Sequence, residues 1–260
     1  MAKVTVERDG HVLLIGMNRP EKRNALDVEM YMELAAAYGK LHRDPDLWCG
    51  LVFAHGDHFT AGLDLVEWAP IFSQGKLPEL DESLIDPFGL DEDRRLSKPL
   101  VMAVQGICYT IGFEMLLTTD VRIAASNTRL AQIEVKRGIY PVGGATVRLF
   151  QEIGWANAMR YLLTGDEITA DEAYRLGLVQ EVTEVGKQFD RALEIAHRIA
   201  KQAPLGVQAI LRSARIAQIQ GNKAALERLF PDIGPIMQSE DAQEGIRAFI
   251  ERREAVFKGK

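Results

Sequence analysis

Twice along this chain a short apolar run empties into small residues and then into a helical pattern, and that repeat limits the possible folds more than any other feature. The first is WCGLVFAHGDHFTAGLDL, residues 48–65, and the second is PLVMAVQGICYTIGFEMLL, residues 99–117. Each opens with a run of apolar and β-forming residues that reads as a strand buried on both faces. A strand buried on both faces needs cover on each side, which an α/β architecture supplies by following strands with helices.

The flanking segments fit that reading. KVTVER and HVLLIGMN lie on either side of Asp9-Gly10, a two-residue hairpin signal, so the chain is expected to open with antiparallel β. Asp27 is placed to cap a helix whose apolar residues Met30, Leu34, Ala37, Tyr38 and Leu41 recur every three or four positions, and Asp44-Pro45 ends it. A helix over 112–119 and a strand DVRIAA at 120–125 follow the second repeat. Residues 70–98 break the rhythm with proline, glycine and acids, as a binding loop or a surface excursion would. After VQEVT at 179–183 only helical periodicity remains. The expected organisation is an α/β core over 1–185 and a helical segment over 186–260, too small to hold much core of its own and so expected to pack on the core or on another subunit.

The formal net charge of −6, without a long Lys/Arg run, leaves no footprint for nucleic acid. No stretch reaches about 18 uncharged apolar residues, so no membrane span is expected. Charges at Lys3, Glu7, Arg8 and Asp9 interrupt any signal-peptide core, which predicts a soluble, cytoplasmic protein. Cys49 and Cys108 sit in strand-like contexts with no CxxC spacing and no nearby His pattern. They are expected to be buried free thiols, with no disulfide and no metal.

Three stretches carry chemistry. The strand exit around Ala61-Gly62 leaves backbone N–H groups uncrowded and able to grip an oxyanion, although steric need alone also explains small residues there. The helix start near Ile111 and Gly112 offers a second set of donors, reinforced by the helix dipole. Two donors converging on one oxygen make an oxyanion hole. Glu114, in an otherwise apolar run, reads locally as a first-turn carboxylate facing the dipole. Glu134, beside Lys136 and Arg137, reads locally as half of an exposed ion pair. His55 and His58 read as solvated turn histidines and Asp64 as a helix cap.

The order of the pieces says more than any one of them. NRPEKRNALD at 18–27, FTAGLDL at 59–65, VQGICYTIGFE at 104–114, the Glu134 segment with PVGGATVRL, LTGDEITADEAYRLGLV at 163–179 and the tail SEDAQEGIRAFIERREAVFKGK together resemble the crotonase, or enoyl-CoA hydratase/isomerase, superfamily. The resemblance implies an α/β spiral of ββα units with a helical C-terminal trimerisation segment, assembled as a homotrimer or dimer of trimers. It implies an acyl-CoA thioester as substrate, no separate cofactor, and an enolate held by the backbone N–H groups of Ala61 and Ile111. By position in the motifs, Lys22, Arg23, Ala25, Ala61, Gly62, Leu63, Asp64 and Leu65 lie along the CoA. Phe257 and Lys258 approach its adenine end, often from a neighbouring subunit. Glu114 and Glu134 fall at the catalytic positions of enoyl-CoA hydratases, which add water across the 2,3 double bond in routes such as fatty-acid β-oxidation.

Tyr109, Thr110 and Ile111 stand where small residues are usual, and Val142 and Ala145 where glycine is frequent in hydratases. These departures leave open a double-bond isomerase using Glu134 alone, a thioester hydrolase or decarboxylase, and a non-catalytic acyl-CoA binding protein.

Overall fold

The computed structural model describes residues 2–260. A six-stranded sheet forms the centre, in the order β1 (Val4–Asp9), β2 (Val12–Met17), β3 (Cys49–Ala54), β4 (Leu100–Val104), β6 (Val121–Ala125) and β9 (Glu181–Thr183). The β1/β2 pair is antiparallel and every later pairing is parallel. The hairpin register pairs Asp9 with Val12, so the turn is Gly10-His11, one residue later than the sequence signal, with Gly10 at φ +59°. A smaller sheet joins β5 (Ile107–Tyr109), β7 (Arg129–Ala131) and β8 (Ile168–Thr169).

Parallel strands need crossovers, and the helices provide them. α1 (Val28–Arg43) starts at Asp27, whose Oδ1 accepts from Met30 N at 2.9 Å, and buries the periodic face that includes Met30, Leu34, Tyr38 and Leu41. α2 (Leu65–Phe72) and α3 (Ile111–Leu116) follow the two small-residue exits. α3 is shorter than expected because Thr118 and Thr119 turn their hydroxyls back onto the carbonyls of Met115 and Leu116. α4 (Ala145–Ile153), α5 (Trp155–Thr164) and α6 (Ala170–Arg175) complete the layer.

The irregular stretch 70–98 is anchored by buried Ile85, Phe88 and Leu96. Asp86 ties it down, accepting from Tyr31 Oη and from the N–H groups of Phe88 and Leu90. The expected division near residue 185 falls between β9 and α7 (Gln188–Ala200). α7 lays Ala192, Ala196 and Ala200 on one face of the sheet, forming a core with Val12, Cys49, Leu51, Val101 and Ile123. α8 (Pro204–Gln220), α9 (Asn222–Met237) and α10 (Glu240–Glu251) then leave large apolar side chains exposed, including Ile210, Phe230, Phe249 and Ile250. Cys49 and Cys108 are buried and free, and burial pushes both thiols up. Among the described residues no helix is long and apolar enough to cross a membrane.

Candidate active site

The first small-residue exit is held in place by the segment before α1. Asn24, in the left-handed region at φ +52°, donates through Nδ2 to the carbonyls of His55 and His58, both at 2.9 Å. Thr60 Oγ1 donates to Asn24 O at 2.6 Å. A single parallel bridge then joins Leu26 to Leu63: Leu26 N donates to Gly62 O, and Asp64 N donates to Leu26 O. Peptide groups alternate in direction along an extended chain, so the N–H of Leu63 points away from this bridge. It has no acceptor among the described residues, and Leu63 lines a cavity.

This corrects the expected donor. Ala61 also lines the cavity, but its N–H donates to Arg23 O at 2.9 Å and is not free. Gly62 N is committed to Thr60 Oγ1 at 3.0 Å. The uncommitted donor of this motif is Leu63, two residues on. Asp64 does not cap α2 with its side chain; Oδ2 pairs instead with Arg19 at 3.1 Å.

The second exit behaves as expected at its key position. Thr110 N donates to Ala131 O and Glu114 N to Thr110 O, while the N–H of Ile111, first residue of α3, has no acceptor among the described residues. Thr110 adopts φ +47°, ψ −115°, a region that disfavours a β-branched residue. That ψ sets the plane of the 110–111 peptide and hence the direction of the Ile111 N–H. Leu63, Thr110 and Ile111 line the same cavity of about 170 Å³.

Both glutamates line it too. Glu114 is 2% exposed, and Oε1 accepts from Ala145 N at 2.9 Å. Burial raises its pKa to about 7, against the lowering effect of the N–H groups of Ala145 and Gly143 and of nearby Arg148. A Cβ on Gly143 would meet the Glu114 carboxylate and Ile111 Cδ1 at 2.5 and 2.6 Å, so only glycine lets this loop approach. Glu134 opens a 3-10 turn, Glu134–Arg137, that ends at left-handed Gly138. It is 8% exposed and makes no ion pair with Lys136 or Arg137, contrary to its local sequence context. Burial first, and the charge of Glu114 second, raise its pKa to about 8. With its amide nitrogen turned toward Glu134, Gln132 donates to both carboxylate oxygens at 2.8 and 3.1 Å.

The remaining expected residues divide. Leu65 lines the cavity, and Lys22, Arg23 and Ala25 lie on the segment hydrogen-bonded to the first exit. Phe257 and Lys258 are elsewhere. Phe257 packs on the core shared with α7, and Gly259 lies against Trp48, at the start of β3, whereas the cavity is built on loops that leave the ends of β3 and β4. The tail therefore does not reach the cavity of its own chain. His55 and His58 hydrogen-bond within the scaffold and do not line the cavity. Sequence reasoning missed Asn24, Gln132 and Gly143. A larger cleft of about 740 Å³ between α4 and α8 is lined by Arg95, Arg122, Arg148 and Arg215. Neither Glu114 nor Glu134 lines it, and its own carboxylates, Glu92 and Glu152, are paired with Arg95 and Arg122, so the smaller cavity is the chemical centre.

Two unpaired backbone N–H groups beside two buried carboxyls of raised pKa equip a fold to hold an enolate oxygen and move protons next to it. The chain belongs to the enoyl-CoA hydratase/isomerase family, whose sequence model matches residues 7–260. It is 40% identical to the enoyl-CoA hydratase EchA19 of Mycobacterium tuberculosis over 98% of this chain and 96% of that protein. It is 32% identical to the 2,3-dehydroadipyl-CoA hydratase of Escherichia coli over the full length of both. Among solved structures it is similar to a probable enoyl-CoA hydratase/isomerase from Mycobacterium abscessus, with a TM-score of 0.95 and 48% identity over 99% of each chain.

Proposed function

We propose that this chain is an enoyl-CoA hydratase that adds water across the 2,3 double bond of an enoyl-CoA thioester. One observation carries the reading: Glu114 and Glu134, both raised by burial, face one cavity beside the free N–H groups of Leu63 and Ile111. Two raised carboxyls facing one cavity resist ionising together, so one can take a proton while the other keeps its own. The thioester oxygen sits between the two N–H groups. Water attacks the β-carbon as Glu114 takes its proton, and the π electrons move onto the thioester oxygen as an enolate. The enolate collapses as Glu134 delivers its proton to the α-carbon. The net change is addition of H and OH, and exchange with solvent returns each carboxyl to its starting state.

The relatives support hydration as the reaction. The Mycobacterium tuberculosis and Escherichia coli relatives named above are hydratases by name, as are proteins named for mevalonyl-CoA and (E)-benzylidenesuccinyl-CoA. Their acyl groups differ widely. In this reading CoA itself is the only handle required, lying along Lys22, Arg23, Ala25 and the 61–65 turn, with no further cofactor. A place in β-oxidation of fatty acids fits the same chemistry. The buried free thiols fit a reducing, cytoplasmic setting.

The exposed apolar residues of the helical segment support a homotrimer or dimer of trimers. In that assembly Phe257 and Lys258, which do not reach their own cavity, would serve the adenine end of a neighbour's CoA. The test is loss of enoyl-thioester absorbance with crotonyl-CoA and longer 2-enoyl-CoA substrates, run beside Glu114→Gln and Glu134→Gln. Both substitutions should lower kcat by about 10²–10⁴-fold in folded protein. An isomerase would instead convert 3-enoyl to 2-enoyl thioesters and survive Glu114→Gln.

A further inference from the structure

The 3-10 turn that presents Glu134 presents a second charged residue, Arg137, and the proposed hydration gives it no role. Arg137 lines the cavity together with apolar Leu65, Phe72, Ile139, Tyr140 and Val142, and no other cation does. It is exposed, and among the described residues its guanidinium has no ion pair and no hydrogen bond. It does not neutralise the neighbouring acids, whose pKa values stay raised.

Water solvates this cation while the cavity is open. An acyl chain that fills the cavity displaces the water on the cavity side. The exposed guanidinium keeps its outer water, but a neutral alkyl chain replaces the cavity-side water with nothing that accepts a hydrogen bond. A carboxylate on the acyl chain would instead give it a charge-assisted, bidentate partner. Three residues of 3-10 helix rise about 6 Å, so the backbone of Arg137 is displaced by about that much from that of Glu134 along the turn. We propose that Arg137 selects 2-enoyl-CoA substrates whose acyl chain ends in a second carboxylate a few carbons beyond the double bond. This inference rests on the hydratase reading for its chemistry but not for its recognition step.

The experiment compares hex-2-enoyl-CoA with the mono-CoA thioester of hex-2-enedioic acid in wild type, Arg137→Gln and Arg137→Lys. Wild type should favour the diacid thioester in kcat/KM by roughly ten- to a hundred-fold, the range of a charged hydrogen bond. In Arg137→Gln the ratio should collapse towards one, and Arg137→Lys should retain part of it. A wild-type ratio near one, or a ratio that survives Arg137→Gln, overturns the proposal. A guanidinium serving a CoA phosphate would lower both substrates alike and leave the ratio standing. Calorimetric binding of the saturated pair, hexanoyl-CoA and adipyl-CoA, reads the same preference without turnover. If neither enoyl thioester is hydrated, the hydratase reading fails, while the adipyl preference and its loss in Arg137→Gln still decide the role of Arg137.

Discussion

Thr110 and Gly62 pack so closely that a Cβ on Gly62 would collide with Thr110 Oγ1. Gly62 is followed by Leu63 and Thr110 by Ile111, so this one contact spaces the two uncommitted N–H donors. Gly62 also sits at φ +109°, where an L side chain is strained. Gly62→Ala should push the motifs apart, lowering kcat/KM by about 10²–10³-fold, the scale of losing one oxyanion donor. The unfolding midpoint should fall as well. Adding Thr110→Ala removes the hydroxyl in the collision and should restore part of the activity. Steady-state kinetics on the single and double variants check this, and an additive pair would refute the contact.

Thr110 itself is strained. Its φ of +47° with ψ −115° suits glycine, and its hydroxyl is buried without a partner. Strain of this kind costs about 1–3 kcal/mol, and a glycine loses roughly 0.5–1 kcal/mol more backbone entropy on folding. Thr110→Gly should therefore stabilise the fold by about 1 kcal/mol, a rise of about 2–4 °C in Tm. Activity should fall, because the glycine no longer holds the 110–111 peptide in one orientation. Differential scanning calorimetry and kcat on one preparation test both halves.

The raised carboxyls make pH a probe of mechanism and of stability. kcat/KM should be bell-shaped, falling below about 7 as Glu114 protonates and above about 8 as Glu134 ionises. Both groups bind protons more tightly folded than unfolded. Their contribution to stability is therefore full below about 4.5, the ordinary glutamate value, and is lost as pH rises through 7 and 8. The Glu114→Gln/Glu134→Gln variant lacks this titration. Its stability relative to wild type should increase between pH 5 and pH 8.5 by a few kcal/mol, at about 1.4 kcal/mol per pKa unit. Urea unfolding at the two pH values measures it.

Phe230 and Phe249 are each 85% exposed on helices with other bare apolar residues. Phe230→Asp or Phe249→Asp should shift the sedimenting species to lower mass, with little change in the far-ultraviolet spectrum. If the tail serves a neighbour, CoA affinity should fall with the mass. A variant that stays assembled speaks against these helices as the interface.

The sequence exposed elements whose physics is local. Asp27 caps α1 because its side chain needs only the next turn, and β3 and β4 read as buried because no polar residue interrupts them. Of the short strands, β5 showed only as the strand-like context of Cys108, and β7 and β8 carry no signal, since two or three residues have no measurable periodicity. At the site, motif order located Glu114, Glu134 and the donor Ile111, but not the free donor of the first exit. Whether Ala61 or Leu63 offers its N–H depends on Arg23 O and on the Leu26 bridge, which are contacts across more than thirty residues. Gln132 was illegible for a different reason: its partner is only two residues away, but the pairing is set by side-chain direction, not by spacing.

That amide supplies a separate prediction. With its amide nitrogen turned toward Glu134, Gln132 makes two N–H contacts of the kind that favour an ionised carboxylate, opposing the burial that raises this one. Gln132→Leu removes them while keeping a side chain of similar size. The alkaline limb of kcat/KM should then move to higher pH, because Glu134 keeps its proton longer, and the acid limb should stay in place. A merely structural loss would lower the whole profile without moving either limb. Pre-steady-state exchange of the α-proton in deuterated buffer gives a second reading, since a less acidic Glu134 also delivers its proton more slowly to the enolate. A profile that drops uniformly would remove Gln132 from the proton path.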